Sequence, residues 1–514
     1  MKFLKLFIAL FVSFFVFSYI ICSSVVLDVI DNGTTTHYQY SLNTPIIKHQ
    51  DSDFSDSNQK LSIKKLTVVT ISNNRISMPL STTSRVSDLN LTHNNDKLFP
   101  IVLIKADANT SFIHHNNFSI CLMFSFFIAM IITIIWAFYY FPLEQIKIKD
   151  RAFSLIDKYY WVYLPIVFLI GKVIYFLVLY KAHLFLDTSN PYSLMCQWDC
   201  NYYKSIIYSG YQLHANPIDG GPVSGQANWA FFPLLPIISK GLIYLFHSEL
   251  SVIVFNQLLL LVSLFLIYDY AKRKISLDIA VVSSLFLAIS SENIYFMSIY
   301  TESLFLFLSL VILFYLERRM YFLACITCGV LSAVRFPGFL AVILIIYYLW
   351  SDGKIKINNF INLKLPIYFL ISILGLLSYM IYLHYHVGDS LAFYHIQKAW
   401  GRINDSWWNY SNILRNGTIV DRIILVISII GLTYLYKKKL FNEFVFLFLA
   451  VSLAIASKSL QSFSRQILAN YAFYILIAAS INRRLLVLVF ALIVFLMLNL
   501  SFTFLWFTSS SFVW

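Results

Sequence analysis

The chain has 514 residues, of which 59% are hydrophobic and only 12% are charged. Soluble globular proteins are about half apolar and a quarter charged, so this composition excludes an ordinary soluble enzyme. The net charge is +13, but the sequence contains no basic-aromatic nucleic-acid motif. Basic residues in cytoplasmic loops are typical of membrane proteins and account for this charge. We therefore expect an all-α polytopic membrane protein with no nucleic-acid partner.

The N-terminal part of the chain divides into three segments. Residues 1–23 have a basic start, a long apolar core and no clear cleavage site, which favours a signal anchor over a cleaved signal peptide. Residues 24–117 are polar with short β-like runs and predict a small, partly ordered β-containing segment on the exported side. Residues 118–150 begin with a long uncharged run, which predicts a second transmembrane helix and then a cytoplasmic linker.

Residues 151–514 are a succession of apolar runs. When Met1 is placed inside and the runs cross alternately, every basic cluster falls on the cytoplasmic side. This threading predicts about 13 transmembrane helices, with residues 232–247 lying in or re-entering the membrane interface. The runs after residue 160 are 161–181, 251–268, 279–294, 299–316, 320–336, 338–350, 365–385, 422–436, 440–456, 467–481 and 485–507.

The same threading places the distinctive polar segments on the exported face of the membrane. A transporter more often has its ionisable groups near the middle of the bilayer. Clustering of polar segments at one interface therefore favours an active site there. The segments are WDCNYYKSIIYSGY, NWAFFPLLP, YTESLF, GDSLAFYHIQKAWGR and SLQSFSRQ.

Asp199 is the first candidate for catalysis. It follows Trp198 at the start of an exported segment, where a partly desolvated carboxylate is a competent proton acceptor. The alternative is a loop aspartate that caps a helix beginning near Asn201. Cys196 and Cys200 flank Trp198 and Asp199, and their spacing leaves a disulfide open.

Exported cations are the second group of candidates. Lys398 and Arg402 are four residues apart and would share one face of a helix. Arg335 and Arg465 each lie beside a span. Basic side chains that converge at an exported interface suit a lipid-linked phosphate, which the arginine fork can bind in a bidentate manner. Snorkelling to lipid headgroups is the alternative interpretation of each cation.

Glu302 lies at an apolar turn and is either a second site carboxylate or a structural partner of one of these cations. His384 and His386 are two residues apart and do not share a helix face, and no HExxH motif is present. The sequence also lacks a Gly-rich phosphate loop. It therefore predicts neither a metal nor another cofactor.

Several of these segments together resemble the PIG-V-type mannosyltransferases, the family of GPI mannosyltransferase 2 and its prokaryotic relatives. QWDCNYYKSIIYSGY, NWAFFPLLP, FMSIYTESLF and AVRFPG follow the family's blocks in order, and GDSLAFYHIQKAWGR is similar to a later block of bacterial members. The similarity covers about residues 155–510. Two departures are Ile207, where the family usually has a small residue, and the exported segment 24–117.

The resemblance implies the GT-C superfamily, whose members are multi-span helical glycosyltransferases with a catalytic aspartate in the first exported loop. Mannose would move, with inversion, from a polyprenyl (dolichyl) phosphate to a lipid-linked glycan such as a GPI precursor. The membrane would be that of the endoplasmic reticulum in a eukaryote and the plasma (inner) membrane in a prokaryote. Asp199 falls on the position of the family's catalytic aspartate and would be the general base.

The remaining site residues follow from the matching positions and from the charge pattern. Donor phosphate binding is assigned to Arg335, Lys398, Arg402 and Arg465, and other substrate contacts are assigned to Trp198, Tyr203, Tyr211, Glu302 and Trp400.

The runner-up function is a transporter or flippase of lipid-linked sugars, which predicts paired ionisable groups deep in the spans.

Overall fold

The computed structural model divides the chain into two compact units, Met1–Leu143 and Glu144–Trp514. The predicted anchor at 1–23 lies outside the described residues, and so does the predicted second transmembrane helix within 118–150. The structure describes residues 65–69, 101–105, 148, 150–186, 194–218, 223–353, 364–402, 418–457, 459–481 and 483–507.

Two short strands are described in the first unit. Strand β1 (Lys65–Val69) pairs antiparallel with strand β2 (Ile101–Lys105), with Lys65 opposite Lys105. Both strands are rich in β-branched residues, which favour extended backbone. They fall in the predicted β-containing segment 24–117, of which the other residues lie outside the described part of the chain.

The second unit is mostly helical. Each apolar run predicted after residue 160 contains a helix, because apolar side chains in a bilayer require a backbone that satisfies its own hydrogen bonds. In chain order the helices are α1 (Asp150–Lys158), α2 (Tyr160–Leu186), α3 (Asp199–Ser209), α4 (Leu234–Phe246), α5 (Leu250–Lys274), α6 (Leu277–Ala288), α7 (Asn293–Phe296), α8 (Glu302–Glu317), α9 (Tyr321–Ser332), α10 (Val342–Ser351), α11 (Lys364–Val387), α12 (Ala392–His395), α13 (Ile419–Lys437), α14 (Phe441–Ala456), α15 (Phe463–Leu468), α16 (Tyr471–Ile481) and α17 (Leu485–Phe507).

Four of the described helices are long and apolar enough to cross a bilayer, namely α2, α5, α11 and α17. Helix α17 has 23 residues and no charged side chain, so no part of it requires water. Six further apolar helices have 10–17 residues. The chain is therefore a helical membrane protein, although its described part contains fewer candidate spans than the predicted total.

Helix α4 corresponds to the run 232–247, for which we predict an interfacial or re-entrant position. Its 13 residues are too few for a full crossing. The helix exposes the large apolar side chains of Ile237, Tyr244, Leu245 and Phe246, which suits contact with lipid.

Close packing of helices α9 and α11 positions one side of the candidate site. A Cβ atom on Gly329 would lie 2.3 Å from the carbonyl oxygen of Ile371, and one on Gly375 would lie 2.2 Å from that of Gly329. Small residues allow the two backbones to approach in this way. A Cβ atom on Gly338 would lie 2.3 Å from the carbonyl oxygen of Leu331, so the 3-10 segment that follows Arg335 folds tightly back onto α9.

Candidate active site

A cavity of about 790 Å³ lies among segments that are widely separated in the sequence. Its walls come from the start of α3, the segment after Ala230, the 3-10 segment after Arg335, residues 393–402, helix α14 and residues 457–470. One part of the wall carries charged and amide side chains, and another part is apolar. This combination suits a ligand that has a polar head and an apolar chain.

The turn before α3 directs Asp199 into the cavity. Trp198 has a φ of 54°, a region that residues other than glycine rarely adopt. Cys196 and Cys200 form a disulfide across this turn. Asp199 is the first residue of α3, and its side chain forms an ion pair with Arg465. The structure therefore places its carboxylate in an ion pair and not in the predicted alternative role of helix cap.

Arg465 is the central cation of the site and is only 6% exposed. Its Nη1 donates to Oδ2 of Asp199 at 2.5 Å, and its Nε donates to Oε1 of Glu302. The guanidinium carbon lies 4.5 Å from the ring centre of Tyr300 and 4.9 Å from that of Tyr295. Two carboxylates and two aromatic faces thus compensate for the burial of this charge.

Glu302 lies behind the arginines at the start of α8. Its side chain is fully buried and does not line the cavity. Oε1 accepts a hydrogen bond from Nε of Arg465 and forms an ion pair with Arg335, whose Nη2 lies 3.0 Å away. Of the two interpretations of this residue, the structure favours the structural partner, because Glu302 holds two cavity arginines in place.

Arg402 lines the cavity, whereas Lys398 is exposed and does not. Residues 396–400 form a 3-10 segment, and Gly401 follows with a φ of 65°. Because this backbone is not an α-helix, the prediction that Lys398 and Arg402 share a helix face is wrong. Nη1 of Arg402 donates to Oε1 of Gln397 at 3.1 Å.

The arginines give the polar end of the cavity an excess positive charge. Arg335, Arg402 and Arg465 line the cavity, whereas Asp199 is the one acidic side chain among its described lining residues. Nε of Arg402 is buried without a hydrogen-bond partner among the described residues. Burial lowers the pKa of Arg402, while the nearby carboxylate of Asp199 opposes that shift. An anionic ligand would supply the missing partner.

Tyr203 and Trp400 are the predicted aromatic contacts that line the cavity. Tyr203 is buried, and its hydroxyl lies 3.4 Å from Oγ1 of Thr301. Burial raises the pKa of Tyr203 to about 12, so the phenol stays neutral. Trp400 makes edge contacts with Tyr202 and Phe231, at ring-centre distances of 5.9 and 6.3 Å.

Two other predicted aromatic contacts lie outside the cavity wall. Tyr211 donates its hydroxyl to the carbonyl oxygen of Phe231 at 2.7 Å and packs against Tyr379, which is a structural arrangement. Trp198 is partly buried against the hydrophobic core. Neither residue lines the cavity, so the structure does not bring them together with the arginines as substrate contacts.

One face of helix α14 forms a continuous part of the apolar wall. Leu449, Ala450, Leu453 and Ala454 all line the cavity, together with Phe446 one turn earlier. The spacing of these residues is that of a single helical face. Phe305 and Leu331, from helices α8 and α9, contribute further apolar surface.

Sequence reasoning missed three glutamines of the cavity wall, Gln397, Gln461 and Gln466. The last two lie in SLQSFSRQ, a segment in which only Arg465 was singled out. The sequence signal for Gln461 and Gln466 was their position on either side of Arg465 in a turn predicted to lie on the exported side. Among the described residues, no group of three or more His, Cys, Asp or Glu side chains is arranged to hold a metal ion.

Neither the protein-family models nor the curated proteins contain a match to this chain. The resemblance of its sequence blocks to the PIG-V-type enzymes therefore remains a prediction.

Proposed function

We propose that this protein is a membrane glycosyltransferase of GT-C architecture. It moves mannose from a polyprenyl (dolichyl) phosphate to a lipid-linked glycan, such as a GPI precursor, on the exported face of the membrane. Asp199 is the general base. The observation that carries the proposal is the ion pair of Arg465 with Asp199 in a cavity that also has an apolar wall.

The arginines support binding of a phosphate. Arg335, Arg402 and Arg465 all line the cavity, whereas Asp199 is the one acidic side chain among its described lining residues. Nε of Arg402 lacks a partner in the described part of the chain, so a phosphate oxygen would complete its hydrogen bonding. Guanidinium groups bind phosphate oxygens through paired N–H donors.

The apolar wall supports binding of a prenyl chain. The α14 face that contains Leu449 and Leu453 lines the same cavity as the arginines. Burial of a hydrocarbon chain against such a surface stabilises a complex by about 25 cal/mol per Å² of apolar area. A soluble sugar phosphate would leave this surface without a ligand.

The reaction then follows from the position of Asp199. Its carboxylate takes the proton of the acceptor hydroxyl while the hydroxyl oxygen attacks the anomeric carbon of the donor. The bond between that carbon and the phosphate oxygen breaks, and the lipid phosphate leaves with the electron pair. Arg335, Arg402 and Arg465 stabilise the charge on the departing phosphate. Competition of the phosphate for Arg465 would release Asp199 from its ion pair.

The transporter alternative predicts paired ionisable groups along the spans. The charged cluster described above lies instead at helix ends and in short segments, at Asp199, Glu302, Arg335 and Arg402. In helix α2, Nζ of the buried Lys172 donates to the neutral amide oxygen of Asn293 at 2.6 Å. This distribution favours the enzyme.

The decisive experiment uses the purified full-length protein with polyprenyl-phosphate mannose and a lipid-linked glycan acceptor. We expect Asp199→Asn to reduce transfer by about 10²- to 10⁴-fold, the usual contribution of a general base. Asp269→Asn is a matched control, because Asp269 pairs with Arg273 at a partly exposed site away from the cavity. Equal transfer by wild type and Asp199→Asn would remove Asp199 from the catalytic role. Transport in sealed vesicles without any transfer would favour the alternative.

A further inference from the structure

We infer that Gln461 and Gln466 bind the sugar ring of the donor and determine which sugar is accepted. The inference rests on the proposed function. Both residues line the cavity that contains Asp199 and Arg465. Their side-chain amides make no hydrogen bond within the part of the chain that the structure describes, although each is partly buried. Partly buried amides that face a cavity without partners are prepared for a polar ligand.

The two glutamines lie on either side of the turn that leads into α15, and both line the cavity. Ser462 has a φ of 61°, an unusual conformation for a residue with a side chain, and ends the turn before α15. Ser462 lies before the first residue of α15, and both Ser462 and Gln466 line the cavity. Arg465 is one residue earlier than Gln466, so its side chain leaves the helix about 100° away, towards Asp199 and Glu302.

This turn is held in place without the two amides. The backbone N–H of Ser464 donates to Oδ1 of the buried Asp421 at 2.7 Å, and that of Gln461 donates to Oγ of Ser459 at 3.2 Å. Gln397 on the other wall differs, because its Oε1 already accepts from Arg402. Gln461 and Gln466 thus have fixed backbones and available side chains.

The chemistry of an amide points to the sugar and not to the phosphate or the prenyl chain. An amide has two N–H donors and one acceptor oxygen, and a sugar hydroxyl both donates and accepts. A phosphate group only accepts hydrogen bonds, and the three arginines of the cavity wall are donors for it in the proposed function. A site that hydrogen-bonds a hydroxyl discriminates strongly against a ligand that lacks it or presents it differently. The two glutamines are therefore specificity-determining residues.

The test compares three ligands on the detergent-solubilised full-length protein: polyprenyl phosphate, polyprenyl-phosphate mannose and polyprenyl-phosphate glucose. Gln461→Met and Gln466→Met keep nearly the same volume but remove the hydrogen-bonding groups. Binding constants are measured for each ligand and variant. Lys240→Met is the control, because Lys240 is exposed on α4 and does not line the cavity.

We expect wild type and Lys240→Met to bind the mannose-bearing lipid more tightly than polyprenyl phosphate, and to prefer mannose over glucose. Each glutamine variant should reduce both preferences by about tenfold, as for a lost hydrogen bond, and bind polyprenyl phosphate as wild type does. Unchanged preferences in both variants would overturn the inference while leaving the proposed function intact. Failure of the wild type to bind any of the three lipids would contradict the proposed function itself. Equal weakening of all three ligands in a variant would show a structural role and would also overturn the inference.

Discussion

Arg465 and Asp199 are 266 residues apart in the sequence, and Nη1 of the arginine lies 2.5 Å from Oδ2 of the aspartate. The same guanidinium group bonds to Glu302 through Nε, so it connects the proposed base to the residue that also holds Arg335. A lysine has the same charge but lacks the planar fork that allows these two contacts at once. The geometry of the cavity therefore depends on arginine at this position.

Arg465→Lys should lower transfer by about 10²- to 10³-fold, because the ammonium group lacks the planar fork that holds Glu302 while it also stabilises the leaving phosphate. The measurement is the single-turnover rate of mannose transfer at saturating donor. Arg318→Lys is the matched control, since Arg318 is exposed at the end of α8 and packs over Phe314. Wild-type rates in Arg465→Lys would exclude the bridging role.

Glu302→Gln should destabilise the fold. Glu302 is fully buried and forms ion pairs with two arginines, so loss of its charge leaves Arg335 and Arg465 partly uncompensated. Breaking a buried ion pair in this way costs about 3–5 kcal/mol. Thermal unfolding in detergent should therefore begin at a clearly lower temperature.

Glu249→Gln provides the comparison for this effect. Glu249 also pairs with a cation, Lys204, but its side chain is about one-third exposed, with a relative accessibility of 35%. Exposed pairs contribute little to stability. An equal fall in unfolding temperature in both variants would contradict the structural importance of Glu302.

Helix positions followed from the sequence far better than the site did. The uncharged run 485–507 coincides with α17, because apolar length alone determines such a helix. The contact of Arg465 with Asp199 depends on tertiary packing, so it cannot be recognised from the spacing of neighbouring residues in the sequence. The predicted shared face of Lys398 and Arg402 was wrong because Gly401 takes a left-handed conformation after a 3-10 segment. Gln461 and Gln466 were missed because amides are common in turns.

The Cys196–Cys200 disulfide should support catalysis by limiting the freedom of the turn that carries Asp199. Reduction of the wild-type protein should lower kcat by about tenfold, with little change in donor KM, because a misplaced base slows the chemical step more than binding. The double variant Cys196→Ala/Cys200→Ala should show the same low kcat before and after treatment with reductant. A reductant-sensitive double variant would assign the effect to another group.

Acid should remove a stabilising contribution from Asp157 of helix α1, which contacts Tyr268 and Lys272 at the end of α5. A hydrogen bond from Lys272 at 2.6 Å is the main cause that lowers the pKa of Asp157 below its ordinary value of 3.8, with a further hydrogen bond from Tyr268. A carboxyl group whose pKa is lower in the folded state than in the unfolded state makes its full contribution to stability at pH values above the pKa of the unfolded state. That contribution is lost as the pH falls through the lowered pKa. The lysine is partly exposed, so the contribution is about 1 kcal/mol or less.

Thermal unfolding of wild type and Asp157→Asn between pH 6 and pH 3 checks this expectation. Wild type should unfold at the higher temperature at pH 6, and the difference should shrink once the pH falls below about 4, where the carboxylate of the unfolded chain is protonated. Asp269→Asn controls for the loss of an exposed ion pair, because Asp269 pairs with Arg273 four residues later on the same helix. A difference between wild type and Asp157→Asn that stays constant down to pH 3 would show that the ionised carboxylate is not responsible.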